Sequence, residues 1–401
     1  MNNPSTWLKF GLFSVGLGQS FAFVLIPPLA RDLGLSEIQT STIFAISAVA
    51  WAVTSATWGR ASDKYGRRNI AIIGLIGYSI SLIALVTPLF LVERRILDLV
   101  FLFPLLILGR LINGLLGSAT RPAAFAYTAD NSSESNRTVK FARLESSFLA
   151  GTVIGPLVGG LLSLYSNSLP FYLFSFLGVV AAIGVYRYLP NKPIKINPDY
   201  IQNNLSFMDS SVWPFLLLAS IISFCQASLL QSIGFFIEDT FLTMPDIKLI
   251  ISICFVILSI STIVSQYLFT DFFGLNNNKL LKYGIFIVFI SYIAAAMSTS
   301  IAIFYLAIIM NGIGSGMIRP ANASSLSLTQ SPENQGSAAG YLGSVIPIGH
   351  MLTPIIAMPI YQIHPTYLYF FSSLLCFIAG IFIITNPTLK AVKLLENEPK
   401  Q

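Results

Sequence analysis

The chain has 401 residues, of which 54% are hydrophobic and only 10% charged, with a formal net charge of +6. A soluble domain carries roughly 25% charged residues, so a chain this apolar, with a mean hydropathy of +0.74, has too little polar surface to fold in water. The basic excess is strung between apolar stretches and forms no single patch, which excludes a nucleic-acid-binding surface and reads as membrane topology.

At about twenty apolar residues per crossing, the sequence divides into twelve predicted helices with short connections, leaving no room for a soluble catalytic domain. In the first half they cover residues 7–30, 39–58, 69–91, 100–129, 141–165 and 170–189. In the second half they cover 212–237, 247–270, 280–298, 301–328, 336–361 and 365–385. The fold class expected is therefore an all-α membrane protein of two six-helix bundles, residues 1–189 and 212–401, joined by a polar cytoplasmic linker at 190–211. The first apolar stretch is too long for a signal-peptide core and lacks an A-x-A site, so it reads as an uncleaved span.

Alternate connections differ sharply in basic content. With the N-terminus inside, sixteen Lys and Arg fall in internal segments and four in external loops, Arg31, Arg94, Arg95 and Lys248. That bias predicts both termini cytoplasmic. Cys225, Cys254 and Cys376 all lie within predicted helices, so neither a disulfide framework nor a metal cluster is expected.

An internal repeat organises the chain. Asn113-Gly114 followed by Arg121-Pro122-Ala123 recurs as Asn311-Gly312 followed by Arg319-Pro320-Ala321, an offset of 198 residues. Gly151 and Gly349, and Pro156 and Pro354, share that offset. Earlier in each half, Gln19 and Asp32 match Gln226 and Asp239, and Asp63 and Gly66 match Asp271 and Gly274, at offsets of 207 and 208. Collinear matches in corresponding helices indicate a duplicated six-span unit. The change in offset predicts about ten extra residues in the first half, assigned to the charged loop around residues 93–98.

Local motifs make the resemblance specific. Gly59-Arg60-Ala61-Ser62-Asp63-Lys64-Tyr65-Gly66-Arg67-Arg68, placed in a loop between the second and third helices, matches G-x-x-x-D-[RK]-x-G-R-[RK] at every defined position. Its second-half copy is eroded to Asp271-Phe272-Phe273-Gly274. In the fifth helix, Gly151, Gly155, Pro156, Gly159 and Gly160 fit G-x-x-x-G-P-x-x-G-G, and Arg110, Asn113 and Gly114 fit R-x-x-[QN]-G. The chain thus resembles the major facilitator superfamily, in particular its drug:proton antiporter branch of twelve-span exporters. The resemblance implies a binding site between two parallel six-helix repeats near the bilayer midplane, served by rocking of the two halves. It also implies a conformational latch at Gly59, Asp63, Lys64, Gly66, Arg67 and Arg68 with Asp130 and Arg137, in which the basic side chains sit at the cytoplasmic lipid surface.

A charge at mid-helix costs about 2.5–3.5 kcal/mol on insertion scales, so such residues face a bundle interior or cavity. Arg121 lies nine residues before Asp130, roughly 13 Å inside the boundary at about 1.5 Å per residue, and Arg319 is its repeat mate. No acid is expected at mid-helix, because Glu145 falls in the first turns of the fifth predicted helix, where it would pair locally with Arg143. The cavity is therefore expected to be net positive, with Arg121, Arg319, Gln19, Gln226, Asn113 and Asn311 as candidate cargo-binding residues. Guanidinium groups suit carboxylates, so Arg121 and Arg319 are expected to act as a clamp with one arm from each half. Arg110, Glu145 and His350 are the candidate proton-coupling residues.

The expected function is secondary active export of a small organic solute, anionic or carboxylate-bearing, by proton antiport with alternating access in a bacterial inner membrane. An organic-anion importer or facilitator and a broad multidrug pump are the alternatives. No nucleophile, metal-ligand cluster, Walker loop or sensing domain supports an enzyme, an ATP-driven pump or a receptor. The expected partners are the solute, protons and lipid, with no cofactor, no nucleic acid and function as a monomer.

Overall fold

A computed structural model describes residues 4–132, 134–190, 205–241, 247–273, 275–330 and 334–390; the side chains of 134–139, 142, 270, 271 and 335–337 lie outside that description. Twelve helices in it are long and apolar enough to cross a membrane. The first half comprises α1 (Pro4–Asp32), α2 (Glu37–Tyr65), α3 (Arg67–Glu93), α4 (Leu102–Leu115), α5 (Thr120–Asp130), α6 (Glu134–Ser163) and α7 (Leu169–Tyr188). The second comprises α8 (Trp213–Thr240), α9 (Ile247–Ser265), α10 (Asn277–Ala296), α11 (Ile301–Leu328), α12 (Gln335–Leu352), α13 (Met358–Ile363) and α14 (Pro365–Thr385).

Several helices extend past their apolar stretch, because backbone hydrogen bonding continues where hydropathy fails. The motif around Asp63 is no loop: α2 runs through it to Tyr65 and α3 begins at Arg67. The break is the single residue Gly66, at φ 91° and ψ 140°, a conformation that a Cβ strongly disfavours. At its other end α2 is started by Ser36 and Gln39, which form a reciprocal capping box.

The fourth span also departs from expectation. α4 and α5 together make one crossing, but a 3₁₀ turn at Gly117–Ala119 interrupts it just before Arg121-Pro122. Proline cannot donate to the preceding turn, and Gly117 lowers the cost of the changed backbone. Its repeat mate α11 is uninterrupted despite Pro320. The extra residues of the first half lie mainly in a longer third span, α3 having 27 residues against 20 in α10, followed by a 3₁₀ turn at Leu99–Phe101. The loop itself is also longer, residues 94–101 against 297–300. In the second half, π turns follow α9 at Gln266–Phe272 and α12 at Thr353–Ala357, where Pro354 sits.

The chain forms two compact units, Met1–Asp199 with Pro245–Val256, and Tyr200–Met244 with Ile257–Gln401. The internal packing of each repeats the other. α1 packs on α6 as α8 packs on α12, and α3 packs on α4 and α7 as α10 packs on α11 and α14. Lipid tails are as apolar as leucine, so helices associate here through close approach and interhelical hydrogen bonds. A Cβ on Gly151 would lie 2.1 Å from the Phe13 carbonyl oxygen of α1, and one on Gly349 would lie 2.4 Å from the Ser223 backbone of α8. The duplicated glycines thus hold equivalent helix pairs in contact. Cys225, Cys254 and Cys376 are buried free thiols in this packing.

Candidate functional site

The polar side chains of the first unit fall into three arrangements that differ in burial and partners. Arg67 is buried at 8% exposure and bound on three sides. It pairs with Asp63 one turn back at 2.5 Å, with Asp130 at the end of α5 at 3.0 Å, and donates to Ser62 Oγ at 2.5 Å. The expectation that Arg67 sits at the lipid surface is therefore corrected: it ties the ends of α2, α3 and α5 together. Lys64 is exposed beside the Tyr65 ring, and Arg68 lies over Tyr186. Gly59 is open to space on its Cβ side. The Arg137 side chain and Gly274 of the eroded copy lie outside the described residues.

Arg110 is 4% exposed and rests against the Phe44 ring at 5.2 Å. Its Nε makes no hydrogen bond among the described residues. Tyr78, close by, donates to the Ser14 carbonyl at 2.6 Å.

Arg121 is different again. It forms an ion pair with Glu145 across α5 and α6, and the two side chains are 40% and 38% exposed. This corrects one expectation: the partner of Glu145 is Arg121 instead of Arg143. α6 begins at Glu134, so Glu145 lies three turns inside the helix, at the third position of the membrane-crossing stretch Arg143–Ser163. The pair offsets the charge of Arg121, so that guanidinium does not supply the net positive wall inferred from sequence. Arg121 also faces the rings of Phe125 and Phe148.

The amides are mostly committed to neighbouring helices. Asn113 donates to Ser47 Oγ at 3.2 Å, Asn311 to Ser291 Oγ at 3.1 Å, and Gln226 accepts from Ser315 at 3.1 Å. All three are at least nine-tenths buried. Gln19 is half-buried. Repeat-related positions therefore do not share one role. The π turn near Pro354 adjoins α12, where His350 Nδ1 lies 3.2 Å from Gln231 Nε2. An amide nitrogen offers only hydrogens, so the ring nitrogen accepts.

Arg319, on α11, is exposed and lines a cavity of about 220 Å³ between α8, α11 and α12. Asn322 lines it too, three residues on and on the same helix face. Sequence reading missed Asn322 and Gln231. The i, i+3 spacing from Arg319 was the available signal for the first; nothing in the sequence singles out the second. Pro156, Gly155, Gly159 and Gly160 are buried in α6. Gly159 faces the Phe21 ring, and Gly160 faces Ser252 of α9 within the same unit.

Comparison with known proteins completes the picture. The family model of the Major Facilitator Superfamily matches residues 8–290 and 216–400. The chain is 24% identical to the quinolone resistance protein NorA of Staphylococcus aureus (strain MSSA476), covering 99% of both chains. It is 24% identical to multidrug resistance protein 1 of Bacillus subtilis (strain 168), covering 93% of both. Among solved structures, a bacterial homologue of the human lysosomal transporter Spinster matches with TM-score 0.71 and 14% identity, over 99% of this chain and 98% of that one. The human organic anion transporter MFSD10 matches with TM-score 0.66 and 16% identity, over 94% and 98%. Twelve apolar helices, a duplicated six-helix packing and a family match over nearly the whole length agree: this chain is an integral membrane transporter of the Major Facilitator Superfamily, and not an enzyme.

Proposed function

We propose that the protein exports a small organic solute, anionic or carboxylate-bearing, by proton antiport with alternating access in a bacterial inner membrane. The observation that carries this reading is the Arg121–Glu145 pair, which joins the fourth span to the Arg143 end of the fifth. An exporter driven by protons needs a group on the transport route that can exist charged or neutral, and whose change of state alters a neighbour. Glu145 is assigned that role. As a carboxylate it holds Arg121; protonated, it loses the ion pair and releases the guanidinium. A half-exposed pair is worth on the order of 1 kcal/mol or less, so opening it within a transport cycle is cheap. The buried Arg67 network, with three acceptors on one guanidinium, is by contrast a fixture of its unit, and it is assigned a positioning role at the ends of α2, α3 and α5.

Export as the direction is supported by the resistance proteins among the relatives and by the Gly-Pro element of α6. Cargo with a negative group is supported by Arg319 at the wall of the second-unit cavity. The two-armed clamp expected from repeat symmetry is set aside, because Glu145 occupies Arg121. The test is uptake by inside-out vesicles with and without an acid interior, across indole-3-acetate, indole-3-acetamide and tryptamine. The reading expects accumulation of the anion only with the gradient. Gradient-independent equilibration of all three would make the protein a facilitator.

A further inference from the structure

We infer that the groove between α3 and α4 lodges one anionic phospholipid, with an acyl chain along the groove and the phosphate on Arg94 and Arg95. The inference concerns the first unit alone and stands apart from the export reading. The groove measures about 450 Å³ and is lined from α3 by Ile80, Ile83, Thr87 and Leu91, among others, and from α4 by Leu105 and Leu108. These positions recur every three or four residues, so each helix gives the groove one continuous stripe. The stripes are apolar except for Thr87, whose hydroxyl already donates to the Ile83 carbonyl at 2.7 Å. Ile80, Ile83 and Leu108 are exposed, a face that on membrane-crossing helices suits hydrocarbon.

Length identifies the occupant. From Ile80 to Leu91 the groove follows eleven residue steps of α3, roughly 16 Å at about 1.5 Å per residue. That is close to half of a hydrocarbon core about 30 Å thick, the depth of one leaflet. The leaflet is the outer one in the topology read from the basic residues.

The headgroup end is cationic. Arg94 is the C-cap of α3 and lies three residues beyond Leu91 and seven beyond Thr87, above the same stripe. Its guanidinium is steadied over the Phe90 ring at 4.5 Å, a contact that brings no acceptor oxygen. Arg95 closes the helix: its N–H bonds the Val92 carbonyl, and the Ile96 N–H returns to Leu91. It does so at φ 56°, the single positive φ of a non-glycine residue among the described residues, at a place where glycine is the usual occupant. The chain thus keeps a cation where glycine would fit with less strain. Two acids share the loop. Asp98 Oδ1 is taken by the Val100 N–H at 3.3 Å. Glu93 stands two residues from Leu91, about 200° round the helix and so away from the groove. Beyond the arginines, Ile96, Val100 and Phe101 are exposed, an apolar collar suited to the boundary between headgroups and chains.

The test places a reporter at the mouth of the groove in the full-length protein, reconstituted in vesicles. Phe101→Cys, one turn before Leu105, takes a bimane label, while Cys225, Cys254 and Cys376 are buried and spared. Nitroxide-bearing phosphatidylglycerol or phosphatidylcholine, as a minor component of otherwise identical neutral vesicles, quenches the label according to occupancy. Phosphatidylglycerol is expected to act at the lower mole fraction, by roughly fivefold for each arginine engaged. In the labelled protein, Arg94→Gln with Arg95→Gln should bring the two lipids level. Leu108→Trp, which fills the groove from an exposed position and leaves both arginines in place, should weaken the selective quenching as well. Equal quenching by the two lipids before either change, a preference that survives the double substitution, or selective quenching untouched by Leu108→Trp overturns the assignment. Added inorganic phosphate, matched in ionic strength by chloride, separates a lipid from a free anion. Persistence of the preference supports the lodged lipid; its loss with phosphate but not chloride assigns the arginines to a soluble anion and overturns it.

Discussion

Three arginines of the first unit share a chemistry and differ in surroundings, and the differences set what each can do. Arg67 is held by Asp63, Asp130 and Ser62, Arg110 is buried against Phe44, and Arg121 pairs with Glu145 at partial exposure. Arg67→Met removes the shared donor of two acids that are themselves about one-third exposed, so water offsets part of the loss. The expected cost is about 1–3 kcal/mol, measured as a lowered thermal unfolding midpoint in detergent. Arg121→Met should lower it much less, because it breaks one partly exposed pair where Arg67 holds three partners. Equal shifts would show that the Arg67 network is not the stronger tie. The arginines were legible in the sequence; the Arg121–Glu145 partnership was not. It joins residues 24 apart on two helices, and the polar stretch 134–140 ahead of Glu145 reads as loop by hydropathy although α6 runs through it. The partners of Asn113 and Asn311 were equally hidden, since helix rotation, not repeat position, decides which hydroxyl each amide meets.

Among the helices, small residues decide which can touch. Gly151 and Gly349 occupy matching places in the two units, each against the backbone of a neighbouring helix. Gly343, on the same α12 as Gly349, has open space for 4 Å around the place a Cβ would take. Gly151→Leu and Gly349→Leu are therefore expected to reduce the yield of monodisperse protein severely, while Gly343→Ala leaves it unchanged; size-exclusion profiles of the purified variants report this directly. Gly66→Ala carries a different penalty, of order 1–3 kcal/mol, because its φ of 91° is unfavourable with a side chain whatever the space. The twelve spans follow the apolar stretches, which is the level that hydropathy can read. What it could not read is hydrogen-bond register: the 3₁₀ turn before Arg121, the π turns at Gln266–Phe272 and Thr353–Ala357, and the passage of α2 through a charged motif. Composition says whether a segment suits lipid, whereas register depends on prolines and on the helices packed beside it.

The molecule as a whole is a duplicated transporter, an architecture already written in the constant spacing of Arg121 and Arg319. The bias of basic residues predicts both termini on the cytoplasmic side. Reporter fusions after residues 66 and 390 should be active only in cytoplasmic form, and one after residue 97 only in exported form; the opposite pattern would invert the topology. Proton-coupled export through the Arg121–Glu145 pair is the central claim, and accumulation of indole-3-acetate in an acidic lumen is its most direct measure. A weak acid leaking passively collects on the alkaline side, so concentration into the acid compartment requires coupling. In proteoliposomes with an acidic interior and the protein's cytoplasmic face outward, wild type should concentrate the probe until an ionophore collapses the gradient. Glu145→Gln, neutral throughout the cycle, should still bind the probe and let it equilibrate, but not concentrate it. Undiminished gradient-driven accumulation by Glu145→Gln would contradict the account.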